Sequence, residues 1–318
     1  LMKMEEYPQI KKIYEDIKNL NIQGATNVAI SVFEGMKIYI ELSREEGKEE
    51  FLKTLFGIGK QLAYARDNEP LARNGVTYLK HFFGQRFSVL PELSVMKREF
   101  TSLCDRYLAL IEGTKQKILD NNTRNMLNYD KVLTHCHSST AVSLIKSIGK
   151  GDNDFEVVCT ETRPRFQGRK TAQSLIDAKI KTTLIADSTA ESFVIGRGSV
   201  PIDAVFIGCD QITAKGHTIN KIGSWGISMA AYYAGKPVYV VTPLLKIDAN
   251  SFLESVKIEV RESKEIWEDA PKGLHIFNPA FEIVDNMLIT GYLTEFGLIL
   301  PTNIYEVVKE QYPWILDN

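Results

Sequence analysis

Only four cysteines, Cys104, Cys136, Cys159 and Cys209, occur in 318 residues, far apart and without a CxxC pair. A chain this long can bury its core without disulfides, so reduced thiols and a cytoplasmic setting are expected. No apolar run approaches the roughly 20 residues that cross a bilayer. The stretch LMKMEEYPQIKKIYED is charged throughout, so neither a membrane partner nor an export signal is expected. Charge bias is also missing: 38 Lys and Arg stand against 40 Asp and Glu, a formal net charge of −2. Nucleic acid is therefore not an expected partner, and any anionic ligand must be held by a local basic cluster. Neither GxxxxGK[ST] nor GxGxxG is present, which removes the P-loop and the dinucleotide fingerprint. Metal catalysis fails on geometry. In the run THCHS, 134–138, successive side chains of an extended chain point to opposite faces, so His-Cys-His cannot share one ion. His81, His217 and His275 stand alone. No metal and no cofactor are expected, which leaves chemistry done on a small molecule by protein groups.

What is present changes rhythm once. Residues 5 to about 122 carry apolar positions at helical spacing, as in IKKIYEDIKNL and FLKTLFGIGKQLAYA. The polar stretch DNNTRNMLNYD, 120–130, marks a boundary, giving an N-terminal helical domain over 1–125 and a second domain over 126–318. Beyond it come the β-branched runs KVLTHC, FEVVCTET, TTLIAD, DAVFIGCD, KPVYVVTP and NMLITGYL, each apolar enough to be a strand buried on both faces. Helical patterns lie between the first five. Such alternation predicts an α/β, Rossmann-like domain with a doubly wound, mainly parallel sheet.

Ligands of such a sheet bind beyond the carboxyl ends of its strands. Those ends read Thr134-His135-Cys136, Thr160-Glu161-Thr162-Arg163, Asp187-Ser188, Cys209-Asp210 and Thr242. Asp187 is expected to cap the following helix; Ser138, Ser139 and Thr140 are either caps or an anion site at a helix N-terminus. An inert buried thiol is the common fate of a strand cysteine, and Cys104 and Cys159 fit it. Cys136 is different, because a strand end beside a helix N-terminus with histidines adjacent lowers a thiol pKa toward neutrality and suits a base. Asp210 ends an almost wholly apolar strand, a low-dielectric edge suited to a general acid. An Asx-turn is its plainer role. Lys221 is expected in the first turn of a helix capped by Asn220, a position disfavoured for a cation unless an anion binds nearby. Arg163, Arg165, Arg169 and Lys170 supply further positive charge.

With these residues in hand, the second half resembles the family joining archaeal ribose-1,5-bisphosphate isomerase, methylthioribose-1-phosphate isomerase and the regulatory subunits of translation initiation factor 2B. Five stretches carry the resemblance in order: THCHS (134–138), TETRPRFQG (160–168), GCDQI (208–212), INKIG (219–223), and FNPAFEIV with LTEFGLILP (277–301). IQGATNVA (22–29) and ARDNEPLARNGV (65–76) extend it more weakly into the helical half. The isomerases of that family are similar in using the cysteine of THC and the aspartate of GxD, here Cys136 and Asp210. THCHS resembles the ribose-1,5-bisphosphate branch.

The resemblance implies an aldose-ketose isomerase converting ribose 1,5-bisphosphate to ribulose 1,5-bisphosphate by acid-base proton transfer. It implies substrate or phosphate contacts from Gln23, Gly24, Ala25, Thr26, Arg66, His137, Ser138, Arg163, Asn220, Lys221 and Lys246, closure of the helical domain over the pocket, and a homo-oligomer, either dimeric or hexameric. Two departures stand out. Gln23 replaces the arginine of RGA, which removes a bidentate cation, and Asp67 replaces the proline after Arg66. Some regulatory subunits also carry Gln there, so a non-catalytic subunit that binds sugar phosphate or nucleotide and partners initiation factor 2 is the rival reading. Methylthioribose-1-phosphate isomerase is a third.

Overall fold

The computed structural model describes residues 4–152, 154–252 and 255–317 and divides into two compact units. The first unit holds the residues up to Gly113, Leu245–Ala249, and those from Glu306 onward. Its helices are α1 (Pro8–Lys18), α2 (Ala25–Leu42), α3 (Lys48–Ala63), α4 (Pro70–Arg86) and α5 (Leu93–Asn122), which continues into the second unit. Pro8 and Pro70 open α1 and α4, where the missing N–H costs nothing. Phe33, Phe51, Phe100 and Tyr107 are fully buried.

A single cut at 125/126 was the expectation from sequence; the division is instead discontinuous. Side chains explain why the distant segments belong with the helices. The buried Asn74 amide donates to the carbonyls of Leu245 and Ile247, and Trp314 packs edge-on against Tyr78.

The second unit begins with β1 (Lys131–His135), α6 (Ser139–Ile148), β2 (Glu156–Thr160), α7 (Gln167–Asp177), β3 (Lys181–Ile185), α8 (Ala190–Val194) and β4 (Ala204–Ile207). It continues through β5 (Gln211–Thr213), β6 (Thr218–Lys221), α9 (Ser224–Tyr233) and β7 (Val238–Val241). The two-residue β8 (Ile247–Asp248) lies in the first unit. After it come β9 (Phe281–Val284), β10 (Gly291–Thr294) and β11 (Gly297–Ile299) of the second unit, and α10 (Ile304–Gln311), which belongs to the first unit from Glu306 onward.

Seven strands form the main sheet in the order β11-β10-β7-β4-β1-β2-β3, parallel except for the β10–β11 hairpin. Each of the six runs read as strands contributes one, and the alternation with helices gives the doubly wound α/β arrangement. β1, β2, β4 and β7 are buried along almost their whole length. β3 departs from the expectation of burial on both faces: it is the edge strand, with Lys181 and Leu184 exposed. Val132, Val142, Ile145, Val157, Leu175, Phe206 and Val241 belong to one apolar cluster around this sheet. β6 forms a separate antiparallel ladder with β5 and β9.

Candidate active site

The strand order places one crevice above all others. From β1 the chain moves outward through β2 to β3, then returns to the other flank of β1 as β4, so the carboxyl ends of β1 and β4 straddle the topological switch point. Their register pairs His135 with Ile207, which makes Cys136 and Gly208 the first residues past either edge. A side chain at 208 is excluded, because its Cβ would lie 2.5 Å from the Cβ of Ser138. Glycine there lets the β4 exit pass against the start of α6 and leads to Asp210.

Cys136 sits at φ 67°, a left-handed conformation uncommon for a side-chain-bearing residue and concentrated at functional turns. Hydrogen bonds hold it there. Its N–H donates to Thr162 Oγ1 (3.0 Å), and its carbonyl accepts from Thr171 Oγ1 (2.8 Å). Thr162 Oγ1 lies 3.2 Å from Thr160 Oγ1, which lies 2.7 Å from His135 Nδ1. His135 Nε2 is 2.8 Å from the Ile222 carbonyl, an obligate acceptor, so Nε2 carries the proton and Nδ1 accepts from Thr160. The chain of donors runs one way, from the Cys136 N–H through both threonines and the histidine to the loop after β6. Gly223, at φ 104°, is needed at its end, since a Cβ would stand 3.0 Å from His135 Nε2.

The thiol does not have the low pKa expected from its neighbours. Burial pushes Cys136 up to about 11; Lys221 pulls it down, Asp210 raises it, and the His137 N–H and Arg261 pull it down in turn. The physical reason is that neither histidine is a cation. Burial lowers His135, and it lowers His137 to about 4, with Lys170, Lys146 and Lys115 adding to the effect. His137 Nδ1 donates to Thr171 Oγ1 (3.0 Å), whose own proton is committed to the Cys136 carbonyl. Helix proximity without an adjacent positive imidazole does not overcome desolvation.

The charges that do act on the sulfur are Lys221, Asp210 and Arg261. Lys221, 4% exposed, is lowered by burial, raised by Cys136, lowered by Arg261, and raised by Asp210 and Glu259. Its Nζ lies 4.6 Å from the centroid of Phe281, its register partner on β9. Thus thiol, carboxylate and ammonium form one electrostatic cluster. It can move a proton beside a bound anion.

The remaining expectations divide. Lys221 ends β6, and α9 starts only at Ser224 with Gly223 as its cap, so Asn220 does not cap a helix that holds Lys221; its amide donates to Ser224 Oγ (2.9 Å). Ser138 does cap α6, accepting from the Ala141 N–H (3.2 Å). Asp187 does not cap its own helix. Its two oxygens accept the N–H groups of Thr162 (2.7 Å) and Arg163 (2.6 Å) and so tether the loop after β2. Arg163 is exposed and its guanidinium donates to the Ile266 carbonyl (2.9 Å), while Arg165 and Arg169 pair with Glu265 and Glu161.

Gln23, Gly24, Ala25, Thr26, Arg66 and Lys246 belong to the first unit. Gly24, at φ 85°, precedes Ala25 at the start of α2; Gln23 Nε2 donates to the Leu20 carbonyl (2.8 Å), and Thr26 is exposed. Arg66 is buried against Glu69 (2.8 Å). Lys246 is half-buried in the turn Leu244–Lys246.

Sequence reading missed Arg261 and Glu259. They lie in the long irregular segment between β8 and β9, where no strand end or helix start drew notice. The alternation of charge in KIEVRES, 257–263, was the available signal.

Comparison with known proteins agrees with this fold and places it in a lineage. Residues 21–301 match the initiation factor 2 subunit family. A ribose 1,5-bisphosphate isomerase of Methanocaldococcus jannaschii is 32% identical, covering 99% of both chains. A 5-deoxyribose 1-phosphate isomerase of Clostridium botulinum is 32% identical over 93% of this chain and 88% of that protein. The crystal structure of 5-methylthioribose 1-phosphate isomerase from Pyrococcus horikoshii superposes with a TM-score of 0.74 at 25% identity, covering 97% of this chain and 88% of that one. The chain belongs to the initiation factor 2 subunit family.

Proposed function

We propose that this chain is an aldose-ketose isomerase of a sugar phosphate, with ribose 1,5-bisphosphate as its substrate. The observation that carries the reading is the cluster at the switch point: the Cys136 thiol under the combined influence of Asp210 and the buried Lys221. The full-length relative with the ribose 1,5-bisphosphate name supports the choice of sugar.

A phosphate on the anomeric oxygen blocks ordinary ring opening, so the ring oxygen must be protonated as its bond to C1 breaks. Asp210 gives that proton as general acid. Cys136, as thiolate, takes the proton from C2; the electron pair forms the enediol, and the same proton returns to C1 while the C2 hydroxyl proton leaves to restore Asp210. No proton or electron is gained or lost overall. The positive charge of Lys221 favours the thiolate that this step needs.

Purified protein incubated with ribose 1,5-bisphosphate is expected to form ribulose 1,5-bisphosphate, with Cys136→Ala and Asp210→Asn both losing turnover by at least about 100-fold, the lower end for a proton-transfer group. Wild-type protein without product, or mutants with full activity, would remove the proposal. Running 5-deoxyribose 1-phosphate and methylthioribose 1-phosphate alongside tests the substrate, since relatives carry those names as well. A higher kcat/KM for either would reassign it.

A further inference from the structure

Lys221 and Arg261 are both desolvated, and both leave donors unused. The Arg261 side chain is 7% exposed; its Nε donates to Glu259 Oε1 (2.9 Å), a carboxylate that is itself only 14% exposed. Among the described residues, neither the two terminal nitrogens of Arg261 nor the Lys221 ammonium has a hydrogen-bond partner. Both cations approach one ring: the Arg261 guanidinium carbon is 5.8 Å from the Phe281 centroid and Lys221 Nζ is 4.6 Å from it. Backbone pairing fixes this arrangement. The Arg261 N–H donates to the Asn278 carbonyl (2.8 Å), the Ala280 N–H donates to the Glu259 carbonyl (2.8 Å), and Val260 bridges Pro279. Phe281 then pairs with Lys221 across β9 and β6.

Arg261 keeps Glu259 as a counter-ion, but its terminal nitrogens and the Lys221 ammonium are left without an acceptor, and two cations held near one ring repel. Glu259 answers one nitrogen of Arg261 and leaves the planar fork open, the donor geometry that takes two oxygens of a phosphate. The geometry points to Arg261 as a phosphate-binding residue of this site, acting with Lys221 on one phosphoryl group of the substrate while Glu259 fixes the plane of its guanidinium. The identity of that phosphoryl group rests on the isomerase reading above; the existence of the anion site does not.

The test uses the Cys136 thiol as a reporter, because Cys104, Cys159 and Cys209 are buried. The rate at which an aromatic disulfide reagent modifies Cys136 is measured in wild type, Arg261→Gln and Arg261→Lys against rising inorganic phosphate and, separately, ribose 1,5-bisphosphate. Phosphate is expected to slow the reaction in wild type. Arg261→Gln should shift the half-protecting concentration upward about 10- to 100-fold, the worth of one hydrogen bond to a charged group. Arg261→Lys, which keeps the charge and loses the fork, should fall between. For turnover the loss should appear in KM more than in kcat, and millimolar guanidinium should restore part of it in the Gln variant, which a merely structural arginine would not show. Equal protection in wild type and Arg261→Gln, with both melting alike, overturns the assignment, as does no protection of wild type by either anion. Protection that depends on Arg261 in a protein that turns over no sugar phosphate would instead overturn the isomerase reading and leave the anion site standing.

Discussion

The Cys136 thiol should titrate far above neutrality. Burial lifts it from an ordinary 9.0 to about 11. At pH 8 an ordinary thiol is about one-tenth ionised, whereas this one is about one part in a thousand thiolate, so ionisation alone slows its reactions roughly 100-fold. A more basic thiolate is also a better nucleophile, by a factor of roughly 8 for a two-unit rise with a Brønsted slope near 0.45. The net expectation is about a tenfold deficit against an exposed cysteine, and a rate that climbs nearly tenfold per pH unit with no plateau below about pH 10. Stopped-flow reaction with an aromatic disulfide, with the modified peptide identified by mass spectrometry, measures it. Lys221→Met should lower the rate at pH 8 further, because that ammonium is the strongest influence holding the thiol down. A plateau near pH 7, or a profile unmoved by Lys221→Met, would refute the claim that desolvation dominates at this sulfur.

Gly208→Ala should destabilise the second unit by about 1–3 kcal/mol, the usual cost of forcing an extra methyl into packed structure, because its Cβ would meet Ser138 at 2.5 Å; thermal denaturation measures this, and an unchanged Tm would contradict the close approach. His137 supplies an acid-side signature. Its folded pKa of about 4 lies below the ordinary 6.5, so the unfolded chain binds more protons between those values, and its contribution to stability is complete above pH 6.5 and lost as pH falls toward 4. His137→Asn should flatten the fall of Tm over that interval, and an unchanged slope would show that the imidazole is not buried as described.

Much of the second unit was legible because strand, helix and strand alternate with clear changes of period. KVLTHC and DAVFIGCD read as buried strands and are β1 and β4, and their order around the switch point brings the chain that carries Cys136 and the chain that leads to Asp210 to adjoining strand ends. The protonation state of Cys136 was not legible, because the residue types around it suggested cationic histidines while the fold buried them as neutral rings. Lys221 was assigned to a helix start because INKIGS resembles a cap; the antiparallel ladder of β5, β6 and β9 claims it instead, and short ladders of this kind have no strong periodic signal. Arg261 was invisible for a related reason. Its place depends on pairing with residues 278–280, a contact between two irregular segments that no local pattern announces.

Among the described residues, the segment between β8 and β9 is held in part by the arginine-rich run after β2. Arg163 grips the Ile266 carbonyl and Arg165 pairs with Glu265. Charges that look like ligand contacts are therefore committed to moorings for a tether, and the same tether carries Arg261 to the ring of Phe281 beside Lys221. If Arg261 holds phosphate as proposed, selection can retune the crevice by recharging that tether without altering a single strand pairing of the seven-stranded sheet.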